Sequence, residues 1–310
     1  AQVTVEPGNG TVELSIESSV IHQFGKQIKA TVLETLNRLD VKDAKVTVVD
    51  KGALDCTLKA RVECAVYRSN DITENLPWGG VIKYPNKKRL RRSMMFLNCQ
   101  KPGLIKDPYI YRPDSIMLDL EDAVAENQKD AARYSLYHAL QEIDYRGVER
   151  VVRINGLDTP HWKEDIRVCV AGGADTIRIA KTESAQDVHT VEEHVLAAER
   201  EFGRPEGSTL LMAALESCKG VLNALEVCKS SDRLIGIALS GGDYTKDLQT
   251  VITGTGVELQ GARQQMIIAA RAAGVQCWDT VFTNLDAMDV FEEEVRMIKM
   301  MGFDGKSLVN

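Results

Sequence analysis

The sequence predicts an α/β chain: a (β/α)8 barrel of the TIM type over residues 91–310, its closing C-terminal helix absent, preceded by a small α+β unit over residues 1–68. Three observations lead there. Eight short runs of β-branched and aliphatic residues follow one another in the later part of the chain, each of strand rather than helix length. Stretches with helical periodicity separate them, which is how parallel strands are joined. Charged residues stand at the trailing ends of successive runs: Asp119 and Glu121 in SIMLDLEDA, Arg153 in RVVRIN, Glu216 in LLMAALES and Asp243 in LIGIALSGGDY. In a parallel barrel those ends form the rim on which active sites are built.

Taken in order, VTVEPGNGTVELSIES predicts two strands joined as a hairpin about Pro7-Gly8-Asn9-Gly10. KQIKATVLETLNRLD has Ile28, Val32, Leu33, Leu36 and Leu39 at helical spacing and predicts an amphipathic helix. KVTVVD predicts another strand, and CTLKARVECAVY a segment of mixed character. This unit is near the lower size limit of independent stability and holds no cluster of His, Cys or paired acids, so it reads as a docking or carrier-like module. Residues 69–90, with two prolines, adjacent glycines and many polar side chains, read as a linker, in which Trp78 is either a docking anchor or a partly buried contact. The barrel strands are expected at 92–97, 114–120, 150–155, 174–180, 209–216, 233–240, 275–282 and 305–310. Helical patterns such as KDAARYSLYHALQEI and RQQMIIAARAAG lie between them, and no closing helix follows the eighth strand.

Composition removes several function classes. With 310 residues, 44% hydrophobic, the chain suffices for one large domain and a small one. A formal charge of -7 and a pI near 5.4 argue against a nucleic-acid partner, and aromatic residues are too few (5%) to interleave a basic stripe. KKRLRR (87–92) is the one basic cluster, expected to be a solvated connector feeding the barrel floor. Seven cysteines without a CxxC pair fit reduced thiols in a cytoplasmic protein. No run reaches membrane-spanning length, and no signal-peptide pattern opens the chain. Of the five histidines none ends a strand, which disfavours a Ser-His-Asp hydrolase or a histidine-ligated zinc; His138, His189 and His194 fall in helical stretches and are expected at the surface.

The rim residues each carry two readings. Asp119, Glu121 and Asp122 can cap the next helix, the better reading for Asp122, or surround Arg153, whose guanidinium can grip a carboxylate or an enolate oxygen. Glu216 can cap a helix and Asp243 can close a turn after Gly241-Gly242. Alternatively, carboxylates from the ends of neighbouring strands share one Mg2+, which binds few protein carboxylates and retains waters. Lys181 and Asp279 are further candidates at the rim or in the lumen.

RRSMMF, DSIMLDLEDAV, KDAAR, VVRINGLDTP, IRIAKTES, IGIALSGGDY, CWDTVFTNL and GFDGKSLVN together resemble the beta-subunit (citryl lyase) family of bacterial citrate lyase, within the Mg2+-dependent acyl-thioester lyases that include malyl-CoA lyase. VTVEP, ELSIESSV, QFGKQI, VLETLNRL and VVDKGALDCTLKARVE resemble the gamma-subunit acyl carrier family of the same complex, so the chain reads as a carrier–lyase fusion. The resemblance implies cleavage of a citryl thioester to oxaloacetate and an acetyl thioester. It implies Mg2+ on Glu216 and Asp243, substrate contact and enolate stabilisation by Arg153, support from Asp119 and Glu121, and substrate binding by Lys181. It implies a phosphoribosyl-dephospho-CoA-type prosthetic group on a carrier serine upstream of Ala1, an acyl-transferase alpha subunit and the acyl carrier segment as partners, and a homo-oligomer. A further C-terminal segment with a catalytic acid is implied beyond Asn310. The sequence departs from the family at Asn98-Cys99, at Ala180 and at Gly242. The same barrel residues would suit a malyl- or methylmalyl-CoA-type lyase, and the departures a weakly active scaffold module.

Overall fold

The computed structural model describes residues 1–79 and 88–309. The N-terminal unit holds β1 (Gln2–Glu6), β2 (Val12–Ser18), α1 (Ile21–Arg38), β3 (Ala44–Asp50) and α2 (Asp55–Ser69). The predicted strands form, but not the hairpin. β3 inserts between β1 and β2, antiparallel to the first and parallel to the second. The turn at residues 7–11 therefore steps across a third strand: Asp43 accepts a hydrogen bond from the Gly10 amide at 2.8 Å, and a side chain at Gly8 would collide with Asp43 and Ala44. α1 buries Ile28, Val32 and Leu36 against Val46 and Val48 of β3, while Leu33 faces outward. The mixed segment after Gly52 is the helix α2.

The barrel follows: β4 (Ser93–Asn98), α3 (Pro102–Ile105), β5 (Ser115–Asp119), α4 (Lys129–Glu142), β6 (Glu149–Arg153), α5 (Trp162–Gly172), β7 (Thr176–Ile179), α6 (Ala185–Glu201) and β8 (Leu210–Leu215). It continues with α7 (Cys218–Leu222), α8 (Ala224–Cys228), β9 (Leu234–Leu239), α9 (Gly241–Asp247), α10 (Gln260–Ala273), β10 (Gln276–Asp279), α11 (Met288–Met301) and β11 (Gly305–Leu308). All eight predicted strands pair in parallel and close a barrel in which β11 joins β10 to β4. Alternation sorts their side chains. Ile116, Leu118, Val152, Ile177 and Ile179 join the buried cluster that includes the surrounding helices. Met94, Met117, Val151, Leu210, Met212 and Trp278 form a separate cluster that plugs the lumen, with Phe96 partly buried on it. Gly236 makes room for this plug, since a Cβ there would stand 2.5 Å from the Trp278 ring.

The barrel floor is tied by buried charge. Glu149, at the start of β6, takes two hydrogen bonds from Arg91 (2.6 and 2.7 Å), one from Ser115 (2.6 Å) and one from Thr176 (3.2 Å). The basic cluster is a solvated connector only in part: Lys88 and Arg92 are exposed, the latter bonded to Asp114, but Arg91 is buried, and Lys87 lies outside the described residues.

The N-terminal unit packs on the barrel through α2 and α4. Ala60 and Cys64 of α2 belong to the main barrel cluster, Lys59 pairs with Glu142 at 2.9 Å, and Arg68 pairs with Asp130. His138 is buried, contrary to the surface expectation, because Glu63 of α2 and Glu142 of its own helix enclose it. Leu76 and Trp78 also join the barrel cluster, and the indole N–H donates to Glu164 at 2.8 Å. Both readings of Trp78 therefore meet in a buried anchor; the rest of the linker through residue 87 lies outside the described residues.

Candidate active site

Parallel pairing in register brings the trailing charges together. Asp119 and Arg153 close β5 and β6 as direct partners. Arg153 donates to both Asp119 oxygens, at 2.8 and 2.7 Å, a planar fork-to-carboxylate match. Its remaining nitrogen, Nη1, lies 2.8 Å from Glu121 and 3.6 Å from Asp122. Asp119 also accepts from the amides of Glu121 and Ala123, so it shapes the turn and orients the arginine at once. None of the three acids caps α4, which begins later, at Lys129. Burial raises the carboxyl of Glu121 to about 7, against Arg153 and with the help of Glu216 and Asp122. Both Glu121 oxygens are buried without a well-formed hydrogen bond, behind Arg153 and not on the cavity wall.

Glu216 follows β8 and Asp243 lies in the first turn of α9, directly after β9. The helix cap after β8 is Ser217, so Glu216 is free of that duty. One Glu216 oxygen accepts from the Lys181 amide at 3.1 Å; the other, Oε2, is buried with no hydrogen-bond partner. Burial raises its pKa, and the charge of Asp243 adds to the effect. Asp243 is also partly desolvated, yet Lys246 at 2.7 Å and a hydrogen bond with Glu216 hold it below the usual range. Among the described residues no cluster of three His, Cys, Asp or Glu forms. The donor set is a pair of converging carboxylates with one unmatched buried oxygen, which fits a hard divalent ion that completes its shell with waters and substrate oxygens. Lys181 serves both clusters: its amide holds Glu216 and its ammonium lies 3.3 Å from Glu121. Its φ of 50° is unusual for a lysine, and its side chain is half exposed.

A cavity of about 400 Å3 opens between these groups, lined by Asp119, Asp122, Arg153, Asp243, Phe96 and Arg178 among others. A larger one, about 680 Å3, lies against α5 and α6 and touches none of the rim acids. The departure residues are accommodated: Cys99 is buried, Asn98 donates to the Ala123 carbonyl at 2.6 Å, and Gly242 stands in open space on the cavity wall. Asp279 is not available to a ligand, since Arg263 (2.8 and 2.9 Å) and Lys306 (2.6 Å) occupy it.

Sequence reasoning missed Arg178. It sits in β7 as the register partner of Arg153, is fully buried, and lines the cavity. The available signal was alternation: in TIRI, Ile177 and Ile179 face the helices, which leaves Arg178 to face the lumen.

Residues 92–310 match the family described as HpcH/HpaI aldolase/citrate lyase, and residues 1–69 match the one described as malonate decarboxylase delta subunit (MdcD). Citrate lyase subunit beta of Leuconostoc mesenteroides subsp. cremoris is 53% identical over 225 residues, 73% of this chain and 74% of that protein. The Escherichia coli (strain K12) protein of the same name is 45% identical over 224 residues, 72% of this chain and 74% of its own length. Protein CitE from Mycobacterium tuberculosis, solved in complex with magnesium and acetate, superposes with a TM-score of 0.61 at 25% identity, covering 73% of this chain and 89% of that one.

Proposed function

We propose that this chain, which belongs to the HpcH/HpaI aldolase/citrate lyase family and carries a carrier-type segment ahead of its lyase barrel, is a lyase that cleaves a citryl thioester to oxaloacetate and an acetyl thioester. The observation that carries the reading is the grouping, around one cavity, of Asp243 and the nested Arg153 on its wall with Glu216 beside Asp243, one Glu216 oxygen being buried without a hydrogen-bond partner. In the reaction the carbinol hydroxyl loses its proton and becomes the keto oxygen of oxaloacetate. The bond from the carbinol carbon to the thioester methylene breaks, its electron pair passes into the thioester enolate, and a proton returns to that carbon to give the acetyl group.

Glu216 and Asp243 would hold Mg2+, the ion bound in the mycobacterial structure. When bound, the ion supplies Lewis-acid polarisation of the keto-acid oxygens. Arg153 is placed to offset charge on the enolate oxygen, and its orientation is fixed in advance by Asp119. Glu121 and Lys181 act behind it, the first as a positioning residue for Arg153 and the second as a brace for Glu216. On the same reading the carrier belongs to a citrate lyase complex with an acyl-transferase alpha subunit, a phosphoribosyl-dephospho-CoA-type group and repeated copies of the chain, in the cytoplasm. No helix among the described residues is long and apolar enough to cross a membrane.

The test is oxaloacetate release from citryl-CoA by the full chain, followed by coupled NADH oxidation with and without Mg2+. Mg2+-dependent release that chelation abolishes is expected. Cleavage of malyl-CoA alone would replace the reading by that of a malyl-CoA-type lyase, and cleavage of neither would leave a scaffold module.

A further inference from the structure

Five buried arginines in this chain are paired with carboxylates. Arg91 has Glu149, Arg133 has Asp165, Arg150 has Asp175, Arg233 has Glu199 and Arg263 has Asp279, each at 2.9 Å or less. Arg178 has no carboxylate at ion-pair distance among the described residues. Its guanidinium makes one hydrogen bond, from Nη2 to the Ser240 hydroxyl at 3.1 Å, while Nε and Nη1 are buried without a partner. Its strand neighbour is another arginine, Arg153, already matched by Asp119 and Glu121. Both guanidinium carbons lie over the Phe96 ring, at 5.1 and 5.4 Å from its centroid. Beneath them is the apolar lumen plug, which offers no acceptor. Burial and the like charge of Arg153 weigh against this cation, and the carboxylates of Glu216, Asp119 and Glu121 offset them only from beyond hydrogen-bond distance, so an anion in direct contact would stabilise it. It opens on the cavity that it shares with Arg153 and Asp243.

We propose that Arg178 determines specificity at this site: it receives a carboxylate of the substrate remote from the cation-binding end, so that the site selects an oxo acid bearing a second carboxylate. The inference rests on the lyase reading above and deepens it. Glu216 and Asp243 would engage the keto-acid end, Arg153 would face the thioester oxygen, and the distal carboxylate of the oxaloacetate moiety would still need a partner. Arg178 has the unmatched donors, the burial and the position to be that partner. A substrate whose oxo-acid product lacks the distal carboxylate would leave the guanidinium unmet, which is how a buried polar site rejects an incomplete analogue.

Oxaloacetate and pyruvate differ by that carboxylate. Titration calorimetry with Mg2+ present should show wild-type protein preferring oxaloacetate by about a hundredfold or more. Arg178→Met should reduce the preference to a few-fold, through weaker oxaloacetate binding, and Arg178→Lys should restore part of it. Because the variant removes an unmatched buried cation, Arg178→Met should melt no lower than the wild type in the absence of ligand. A preference that survives in Arg178→Met, an equal loss for both acids, or a collapse of the melting temperature would each overturn the inference. Wild-type protein that binds both acids equally would overturn it alone, whereas failure to bind either would overturn the lyase reading with it.

Discussion

The two ends of the barrel treat their buried carboxylates differently. At the floor, Glu149 is bonded by Arg91, Ser115 and Thr176, and the indole N–H of Trp278 reaches the Arg91 carbonyl at 3.0 Å. At the rim, one oxygen of Glu216 and two nitrogens of Arg178 lack hydrogen bonds. Folding alone favours the first arrangement, because an unmatched buried polar atom costs about 1–3 kcal/mol. The rim therefore holds valences that a ligand can meet, on strands that the floor holds in register.

Floor and rim should separate when each is cut. Glu149→Ala leaves Arg91 buried without its carboxylate and should cost about 3–5 kcal/mol in urea unfolding. Glu216→Gln keeps the shape and replaces an oxygen that has no hydrogen-bond partner, and should move stability by less than about 1 kcal/mol while abolishing Mg2+-dependent turnover. Equal stability losses in the two variants would erase the distinction.

Arg153→Lys sharpens the contrast within the rim. It retains the charge but not the fork that matches Asp119, and should cost about 3 kcal/mol of transition-state stabilisation, roughly a hundredfold in turnover, with Mg2+ binding retained. Wild-type turnover in this variant would reduce Arg153 to an ion-pair partner of Asp119.

A smaller effect is expected where the N-terminal unit meets the barrel. Burial works to lower the pKa of His138, but hydrogen bonds with Glu142 and Glu63 raise it above 6.5. A raised folded-state pKa means stability that is fully present below pH 6.5 and lost as pH rises through the folded value. Arg38 also contacts Glu63, and Lys59, paired with Glu142, is raised by that contact and stays charged in this range. His138→Gln should cost on the order of 1–2 kcal/mol below pH 6.5 and little at high pH. Melting curves that stay parallel for the two proteins from pH 6 to 9 would contradict the assignment.

Much of this was legible in the chain. Each barrel strand is a short apolar run, and Asp119, Arg153, Glu216 and Asp243 stood out because charge is costly at the end of a buried strand unless something uses it. The failures have physical causes. Turn chemistry around Gly8 and Gly10 is local, whereas the insertion of β3 between β1 and β2 is a long-range pairing that no turn residue announces. α2 buries Leu58 and Val62 on its own unit and Ala60 and Cys64 on the barrel, so its helical periodicity is blurred. His138 looked like a surface residue because its partner Glu63 lies in the other unit. Arg178 was hidden by its isoleucine neighbours, and its importance comes from what it lacks in three dimensions.

The central claim is that Glu216 and Asp243 form a cation site on which the keto-acid end of the substrate is held. Calorimetric titration of oxaloacetate into wild-type protein and into Glu216→Gln, each with and without Mg2+, tests it most directly. The account predicts one oxaloacetate per chain, bound by the wild type only with Mg2+, and no Mg2+-dependent binding by Glu216→Gln. Oxaloacetate binding of unchanged affinity in Glu216→Gln, or in wild-type protein stripped of divalent ions, would contradict it.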